Sequence, residues 1–274
     1  MSARIGLALG AGGARGLAHI AVLEAFDDLG VRPSVLAGSS MGAVIGAAYA
    51  AGIPAADLRA HVLALTRDRA ALMGRLLKAR VGRFTDLFAG RAGNPVLIDA
   101  EIFLDLFWPR DVPDTFEELA LPFRAVATDY AGRCEALFAS GPLAPAVAGS
   151  MAIPGLIKPV SAGARVLIDG GAVNPLPYDL LGDAADIIIA CDVTFGPVAE
   201  GRQAPKPFEA MFGAAQIMQG AVTAAKIKAR PPDVLIQPGV GAFRALDFFR
   251  AAQIMRAAEG ARAEVRSALE KALA

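Results

Sequence analysis

Ser40 lies at the centre of the pentapeptide Gly38-Ser39-Ser40-Met41-Gly42, which matches the pattern G-x-S-x-G. In this pattern a sharp turn from a strand into a helix lifts the serine above a sheet, and the flanking glycines let neighbouring backbones approach. The helix that follows directs the positive end of its dipole at the serine. The segment therefore predicts a nucleophilic serine, and the alternative is a tight turn that carries an ordinary exposed serine.

A glycine-rich loop precedes this segment, with the sequence Gly10-Ala11-Gly12-Gly13-Ala14-Arg15-Gly16. It is not a dinucleotide-binding loop, because Arg15 stands where the third glycine is required and the next strand does not end in an acidic residue. Loops after neighbouring parallel strands open at one edge of a sheet, so we expect this loop beside Ser40. The backbone N–H groups of Gly12 and Gly13 are then predicted to form an oxyanion hole.

The predicted base is a carboxylate. Asp169-Gly170-Gly171 follows the apolar run Val166-Leu167-Ile168, so Asp169 stands at the end of a strand, where sites of α/β proteins are built. The two glycines allow a turn tight enough to hold the side chain against a nucleophile, although an ordinary Asp-Gly turn is the alternative. The only histidines, His19 and His61, lie in helical patterns and are not the predicted base.

The elements that position these residues follow from the apolar periodicity. Residues 5–52 read as strand, loop, helix, strand, turn and helix, which is typical of a parallel α/β sheet. Further strands are predicted at residues 123–128, 166–168, 187–191 and 233–236. Helices are predicted over most of residues 57–107 and over the tail 251–274, with a mobile loop at 197–207. We expect one domain over residues 1–274, with the core motifs at 5–192.

Composition excludes several classes of function. The 274 residues include 27 basic and 27 acidic side chains, and a chain without net charge lacks the basic excess of a nucleic-acid binder. Two cysteines, Cys134 and Cys191, are too few for a disulfide framework and indicate a reducing compartment. We see no constellation that predicts a metal site, and no cofactor is expected.

Membrane segments are not predicted. The uncharged stretches 33–56 and 136–157 are long enough to cross a bilayer, but their prolines and glycines are typical of buried strand–turn–helix segments. The N-terminal apolar run is too short for a signal peptide, so a cytoplasmic location is expected. The basic amphipathic stretch 57–88 indicates either peripheral contact with the inner face of the membrane, a lid over an acyl pocket, or a solvated helix face.

Taken together and in this order, three segments resemble the patatin-like phospholipase family: Gly12-Gly13-x-Arg15-Gly16, Gly38-x-Ser40-x-Gly42 and Asp169-Gly170-Gly171. The likeness extends to Leu17-Ala18-His19-Ile20, to the segment 150–155 and to Asn174-Pro175-Leu176-Pro177, and it runs from about Ile5 to about Asp192. It departs from the family pattern at Ala11, where the first position of the oxyanion loop is often glycine.

The resemblance implies a three-layer α/β/α fold with a mainly parallel central sheet and a serine hydrolase that cleaves acyl esters of lipids without histidine. Carried over by motif, Ser40 is the nucleophile, Asp169 the base, and Gly12 and Gly13 the oxyanion donors. Arg15, Gly16, Gly38, Gly42, Gly170 and Gly171 support them. The expected partner is a lipid or ester substrate, and the oligomeric state stays open. Two alternatives are an acyltransferase with the same dyad and a non-catalytic lipid-binding regulatory protein.

Overall fold

The computed structural model of the chain describes residues 3–81, 97–194 and 207–273. The strands of these residues are β1 (Ile5–Leu9), β2 (Val35–Ser39), β3 (Arg80–Val81), β4 (Leu97–Ile98), β5 (Phe123–Asp129), β6 (Cys134–Phe138), β7 (Val160–Ala162), β8 (Arg165–Ile168), β9 (Ile187–Cys191) and β10 (Val234–Ile236). Their α-helices are α1 (His19–Asp28), α2 (Met41–Ala50), α3 (Ala55–Arg67), α4 (Arg69–Lys78), α5 (Ala100–Phe107), α6 (Leu143–Ser150), α7 (Pro207–Ala229), α8 (Ala251–Ala257) and α9 (Glu259–Leu273). Short 3-10 helices occupy Gly13–Ala18, Phe116–Glu118, Gly170–Ala172, Tyr178–Leu180 and Phe248–Arg250.

Eight of the described strands form one sheet in the order β10-β9-β1-β2-β5-β8-β7, and β6 also pairs with β5. The five strands from β10 to β5 run parallel to one another. Every residue of β1 and of β2 is buried, which explains why their sequences are apolar runs rather than alternating patterns. The other strands of the sheet, β6, β8 and β7, are antiparallel to their neighbours.

β5 aligns two strands that meet end to end. Along one edge, β2 runs parallel to β5 and ends with Ser39 paired to Val126, while β8 runs antiparallel and ends with Ile168 paired to Thr128. β6 pairs along the opposite edge. The C-terminal ends of β2 and β8 therefore point toward each other, and the residues that follow them meet beside β5.

The sheet is covered on both faces. Leu7 and Leu9 of β1 belong to the larger apolar cluster, which they share with α1, α2, α3 and α9. Ala8 between them faces a smaller cluster with Tyr178 and Leu181, against which Ile227 of α7 packs. Such alternation along a strand between two apolar clusters produces a layer of helices on each side of the sheet.

The structure confirms the three-layer α/β/α fold with a mainly parallel central sheet, to which β6, β7 and β8 add antiparallel pairings. The predicted strands form within one or two residues of their expected bounds. The tail, predicted as one helix, is interrupted at Ala258 between α8 and α9. Strands β6 and β7 and the helix α7 were not predicted. Residues 197–206 of the predicted mobile loop lie outside the described residues, and Pro207 begins α7.

Candidate active site

Ser40 occupies a strained turn between β2 and α2. Its backbone has a φ of 54° and a ψ of −124°, in a region that residues other than glycine rarely adopt. The turn is held from outside, because the Ser40 N–H donates to the Ser150 hydroxyl oxygen at 2.9 Å. That hydroxyl in turn donates to the carbonyl of Val126 in β5. Such strain persists only where the surroundings fix it, and it is frequent at functional sites.

Glycine is required on both sides of this serine because backbones approach closely. A Cβ atom at Gly42 would lie 2.1 Å from the carbonyl oxygen of Leu9 in β1. One at Gly38 would lie 2.5 Å from the carbonyl oxygen of Gly42 itself. The two glycines therefore let α2 start directly against β1 and β2, as the elbow pattern requires.

The Ser40 hydroxyl donates to the Asp169 carboxylate, with 2.6 Å between Oγ and Oδ2. The two residues follow β2 and β8, the strands that meet end to end beside β5. The other carboxylate oxygen, Oδ1, accepts from the N–H of Gly171 at 2.7 Å. Thr128 of β5 donates its hydroxyl to the Asp169 carbonyl at 2.8 Å. Both side chains of the pair are buried.

The surroundings of Asp169 make it a stronger base than an ordinary aspartate. Burial raises the pKa of Asp169 from 3.8 to about 6, although the hydrogen bonds from Ser40 and from Gly171 act to lower it. With a pKa of about 6, Asp169 is mostly ionised at neutral pH. A serine hydroxyl that already donates to this carboxylate has an acceptor for its proton in place.

The glycine loop reaches the same place from β1. Gly12 is the N-cap residue of a 3-10 helix that begins at Gly13, and both residues line the cavity that contains Ser40 and Asp169. Gly13 has a φ of 57°, and a Cβ there would lie 2.3 Å from the carbonyl oxygen of Ala245. Only glycine fits this position without moving the segment after β10. Ala11 donates its N–H to the carbonyl of Pro175 at 2.8 Å and is thus tied down as well.

Arg15 holds the loop from behind. Its guanidinium is buried, and its Nε lies 3.4 Å from the carbonyl oxygen of Gly12. Burial lowers the pKa of Arg15, while the nearby Asp192 acts to raise it. Arg15 therefore contacts the carbonyl of a loop residue that lines the cavity, in agreement with its predicted supporting role.

The remaining motif glycines also mark close contacts. Gly16 packs against Met41 at the start of α2, where an added Cβ would lie 2.6 Å from the Met41 side chain. A Cβ at Gly170 would lie 2.1 Å from the carbonyl oxygen of Val126, and one at Gly171 would lie 2.8 Å from Asp169 Oδ1. The structure therefore gathers all of the predicted motif residues around one site.

Neither histidine joins this site. His19 is buried, with Nε2 2.8 Å from the carbonyl oxygen of Gly10 and Nδ1 3.2 Å from the sulfur of Cys191. Because a carbonyl only accepts, we assign the proton to Nε2, and Nδ1 then accepts from the thiol. Burial lowers the pKa of His19 to about 4, so the ring is neutral. His61 contacts the carbonyl of Leu106 at 3.3 Å and lines a separate cavity of about 690 Å³.

A cavity of about 330 Å³ opens above the pair, and most of its wall is apolar. One side is formed by the segment after α6 with Ile153, Pro154 and Gly155. Another part of the wall is formed by α7, whose lining residues are Met211, Phe212, Ala215, Gln216, Met218 and Gln219. The apolar periodicity of the sequence did not predict this helix, although the absence of any charge from Ala210 to Ala225 was a visible signal. A long apolar wall beside a buried hydroxyl–carboxylate pair suits a ligand with an acyl chain and a polar, reacting end.

Comparison with known proteins gives independent matches. The sequence profile of the patatin-like phospholipase family matches residues 7–181. An uncharacterized NTE family protein of Mycobacterium tuberculosis is 39% identical over 206 residues, which cover 74% of this chain and 52% of that protein. The neuropathy target esterase sws of Drosophila melanogaster is 31% identical over 192 residues, 69% of this chain and 13% of the esterase.

A fungal relative and a solved structure extend these matches. The lysophospholipase nte1 of Aspergillus fumigatus is 31% identical over 206 residues, 69% of this chain and 12% of the relative. This chain thus spans about half the length of the mycobacterial protein and far less of the eukaryotic ones. The crystal structure of VipD from Legionella pneumophila is similar in fold, with a TM-score of 0.51 at 12% identity over 97% of this chain and 67% of VipD.

Proposed function

This chain belongs to the patatin-like phospholipase family, and we propose that it is a serine hydrolase that cleaves acyl esters of lipids through a Ser40–Asp169 dyad. The observation that carries the proposal is the 2.6 Å hydrogen bond from the Ser40 hydroxyl to a buried carboxylate of raised pKa. The names of two relatives, an esterase and a lysophospholipase, support the same class of reaction.

In the first half-reaction, Asp169 accepts the Ser40 proton as Oγ attacks the ester carbonyl carbon. The carbonyl oxygen becomes negatively charged and is stabilised by the N–H groups of Gly12 and Gly13, with the dipole of α2 adding to the field. The intermediate collapses when the C–O bond to the alcohol breaks and the alcohol takes the proton from Asp169. The products are the free alcohol and an acyl ester on Ser40.

In the second half-reaction, water gives a proton to Asp169 and attacks the acyl ester carbonyl. The same N–H groups stabilise the second oxyanion, which collapses with release of the fatty acid and return of the proton to Ser40 Oγ. Asp169 serves both steps as acceptor and donor, and its pKa of about 6 lies nearer to neutral pH than that of an exposed aspartate.

Three variants test the dyad. Asp169→Asn, which keeps the shape but cannot take the proton, should lower turnover of a p-nitrophenyl ester by several decades, as should Ser40→Ala. The variant carrying both His19→Gln and His61→Gln should stay within about tenfold of wild type, or about 1.4 kcal/mol of barrier. Initial rates with circular dichroism to verify folding measure this. A folded histidine variant without activity would refute the dyad mechanism.

A fluorophosphonate probe and product analysis address the two alternatives. The probe should label wild type and not Ser40→Ala, whereas a non-catalytic lipid-binding protein would leave both unlabelled. With an added alcohol in the reaction, a hydrolase releases mainly free fatty acid, and an acyltransferase yields mainly the new ester. We expect the free fatty acid.

The relation of the protein to membranes is part of this proposal. Among the helices of the described residues, none is both long and apolar enough to cross a bilayer. Residues 57–81 of the basic stretch form most of α3 and all of α4 and β3, and none of them lines the Ser40 cavity. Residues 82–88 lie outside the described residues. Both cysteines are free, and the cytoplasmic location stays a prediction.

A further inference from the structure

The helix α7 has an inverted pattern of polarity. The stretch from Ala210 to Ala225 holds sixteen residues without a charge, and its polar members are Gln216, Gln219 and Thr223. The two glutamines line the Ser40 cavity, and Thr223 is buried. A helix on the surface of a globular protein normally turns its polar residues to solvent and its apolar residues to the core. Here the polar side chains face inward.

The outward face of α7 is correspondingly apolar. The exposed positions of the stretch follow helical spacing and form what we call the α7 stripe: Ala210, Met211, Ala214, Ile217, Met218, Ala221, Ala224 and Ala225. Ile217 is 75% exposed, Met218 62% and Met211 54%. The stripe extends for about 24 Å along the helix. Contiguous exposed apolar surface of this kind marks an interaction site in a soluble protein.

The stripe adjoins the entrance to the site. Met211 and Met218 belong both to the exposed stripe and to the wall of the cavity at Ser40. Whatever covers the stripe therefore lies directly at the entrance. A protein partner in that position would stand between the cavity and its substrate, whereas a lipid surface would present acyl chains to it. The stripe is followed by the exposed cations Lys228 and Arg230, which suit anionic head groups.

We propose that the α7 stripe docks on a lipid surface, with α7 lying in the plane of the interface and Ile217, Met211 and Met218 inserted among the acyl chains. α7 lies on the surface rather than across it, since it is not apolar enough to span. The proposal rests on the proposed function only for the identity of the substrate; the docking itself needs no catalysis. The proposed membrane contact is therefore on α7, which borders the cavity at Ser40, and not on residues 57–88.

Vesicle flotation with the Ser40→Ala protein tests the docking without hydrolysis. The probes are vesicles of phosphatidylcholine alone and vesicles in which a third of the lipid is phosphatidylglycerol. Ile217→Glu, which changes an exposed residue outside the cavity wall, should lower the partition coefficient at least about tenfold. The matched control is Leu77→Glu on α4, which is 49% exposed and lies in the competing basic stretch. It should float like the parent protein.

Two activity measurements separate the docking from the proposed function. In the protein with Ser40 intact, Ile217→Glu should keep turnover of a water-soluble ester within about twofold but lose most hydrolysis of vesicle lipid. The docking proposal is wrong if Ile217→Glu floats as well as the parent protein, or if Leu77→Glu loses as much flotation as Ile217→Glu. Either result overturns it even if esters are hydrolysed. A dimer in sedimentation that Ile217→Glu dissociates also overturns it, since a second copy would then cover the stripe. Flotation without any hydrolysis leaves the docking in place and rejects the proposed function.

Discussion

Asp169 must be ionised to accept a proton, yet its burial disfavours the ionised form. The hydrogen bonds from Ser40 and from the Gly171 N–H offset part of that cost, and the pKa settles at about 6. A carboxylate with this pKa gains proton affinity and is still available at neutral pH. In the proposed dyad mechanism, this balance takes the place of the imidazole that serine hydrolases usually recruit.

The pH dependence of kcat/KM should therefore report Asp169. We expect a plateau above pH 7 and a tenfold fall per unit below about pH 6, because only the ionised carboxylate of the free protein can accept the proton. An ordinary aspartate would place the inflection near 4, and so would His19, whose pKa is about 4. Rates with a short soluble ester between pH 4 and 9 measure it. An inflection that moves in His61→Gln would contradict the assignment.

Protonation of Asp169 at low pH does not itself unfold the protein, so it does not interfere with this measurement. Because the folded pKa of Asp169 lies above its unfolded value, the folded state binds more protons between about pH 4 and 6. The stabilising effect of the neutral carboxyl is complete below pH 4 and is lost as the pH rises through 6, amounting to about 3 kcal/mol. A falling rate at low pH thus occurs while this group makes the fold more stable, not less.

At the scale of elements, the start of α2 depends on the absence of a side chain at Gly42. Gly42→Ala places a Cβ where the carbonyl of Leu9 stands at 2.1 Å, so β1 and α2 must separate and Ser40 must move. We expect the free energy of unfolding to fall by about 2–4 kcal/mol and activity to be largely lost. Urea denaturation and ester turnover measure the two effects.

The control for this substitution is Gly74→Ala in α4, where an added Cβ meets nothing within 4 Å. In a helix interior alanine is favoured over glycine, so this variant should gain about 0.5–1 kcal/mol with unchanged turnover. If both substitutions have the same effect, close approach at Gly42 is not what positions α2.

The sequence was sufficient for those features whose cause is local. The elbow at Ser40, the Gly12-Gly13 loop and the Asp169 turn each contain the glycines that their own contacts require, and β1 and β2 are apolar because both of their faces are buried. The direction of β8 depends instead on its pairing with β5, about 40 residues earlier, and no residue within β8 encodes it. Likewise α7 has apolar residues on its outer face and glutamines on its inner face, so the usual helical pattern gave no signal.

At the scale of the whole molecule, ion pairs join helices that are distant in sequence. The buried carboxylate of Glu24 in α1 accepts two hydrogen bonds from Arg59 in α3, both at 2.6 Å, and lies 3.4 Å from Arg262 in α9. Arg262 also pairs with Asp28 at 2.8 Å. Arg59 belongs to the basic stretch that suggested membrane contact, but its charge is engaged inside the protein.

Replacing Glu24 with glutamine should show how much the ion pairs of Glu24 with Arg59 and Arg262 stabilise the fold. Glu24→Gln removes the buried charge that Arg59 and Arg262 share, and Arg59 keeps its 2.9 Å ion pair with the more exposed Glu259, so we expect the free energy of unfolding to fall by about 1–3 kcal/mol. The matched control is Glu270→Gln in the exposed pair with Arg266, where the change should stay within about 0.5 kcal/mol. Urea denaturation at neutral pH compares them, and equal losses would mean that the ion pairs of Glu24 add nothing beyond a surface pair.

Because β2 and β8 meet end to end along β5, β5 sets the distance between Ser40 and Asp169. Ser40 follows the residue that pairs with Val126, and Asp169 follows the residue that pairs with Thr128. The distance between the two side chains therefore does not depend on the 129 positions of chain that separate them. The segment between β5 and β8 includes Ile153 and Pro154 of the cavity wall, and its hairpin at Gly163 is open to solvent. Changes at Ile153 and Pro154 can alter which ligands the cavity accepts while the pairing of β2 and β8 with β5 stays the same. The strands that position Ser40 and Asp169 are thus separate from the segment that lines the cavity, so in evolution the substrate can change while the hydroxyl–carboxylate pair is retained.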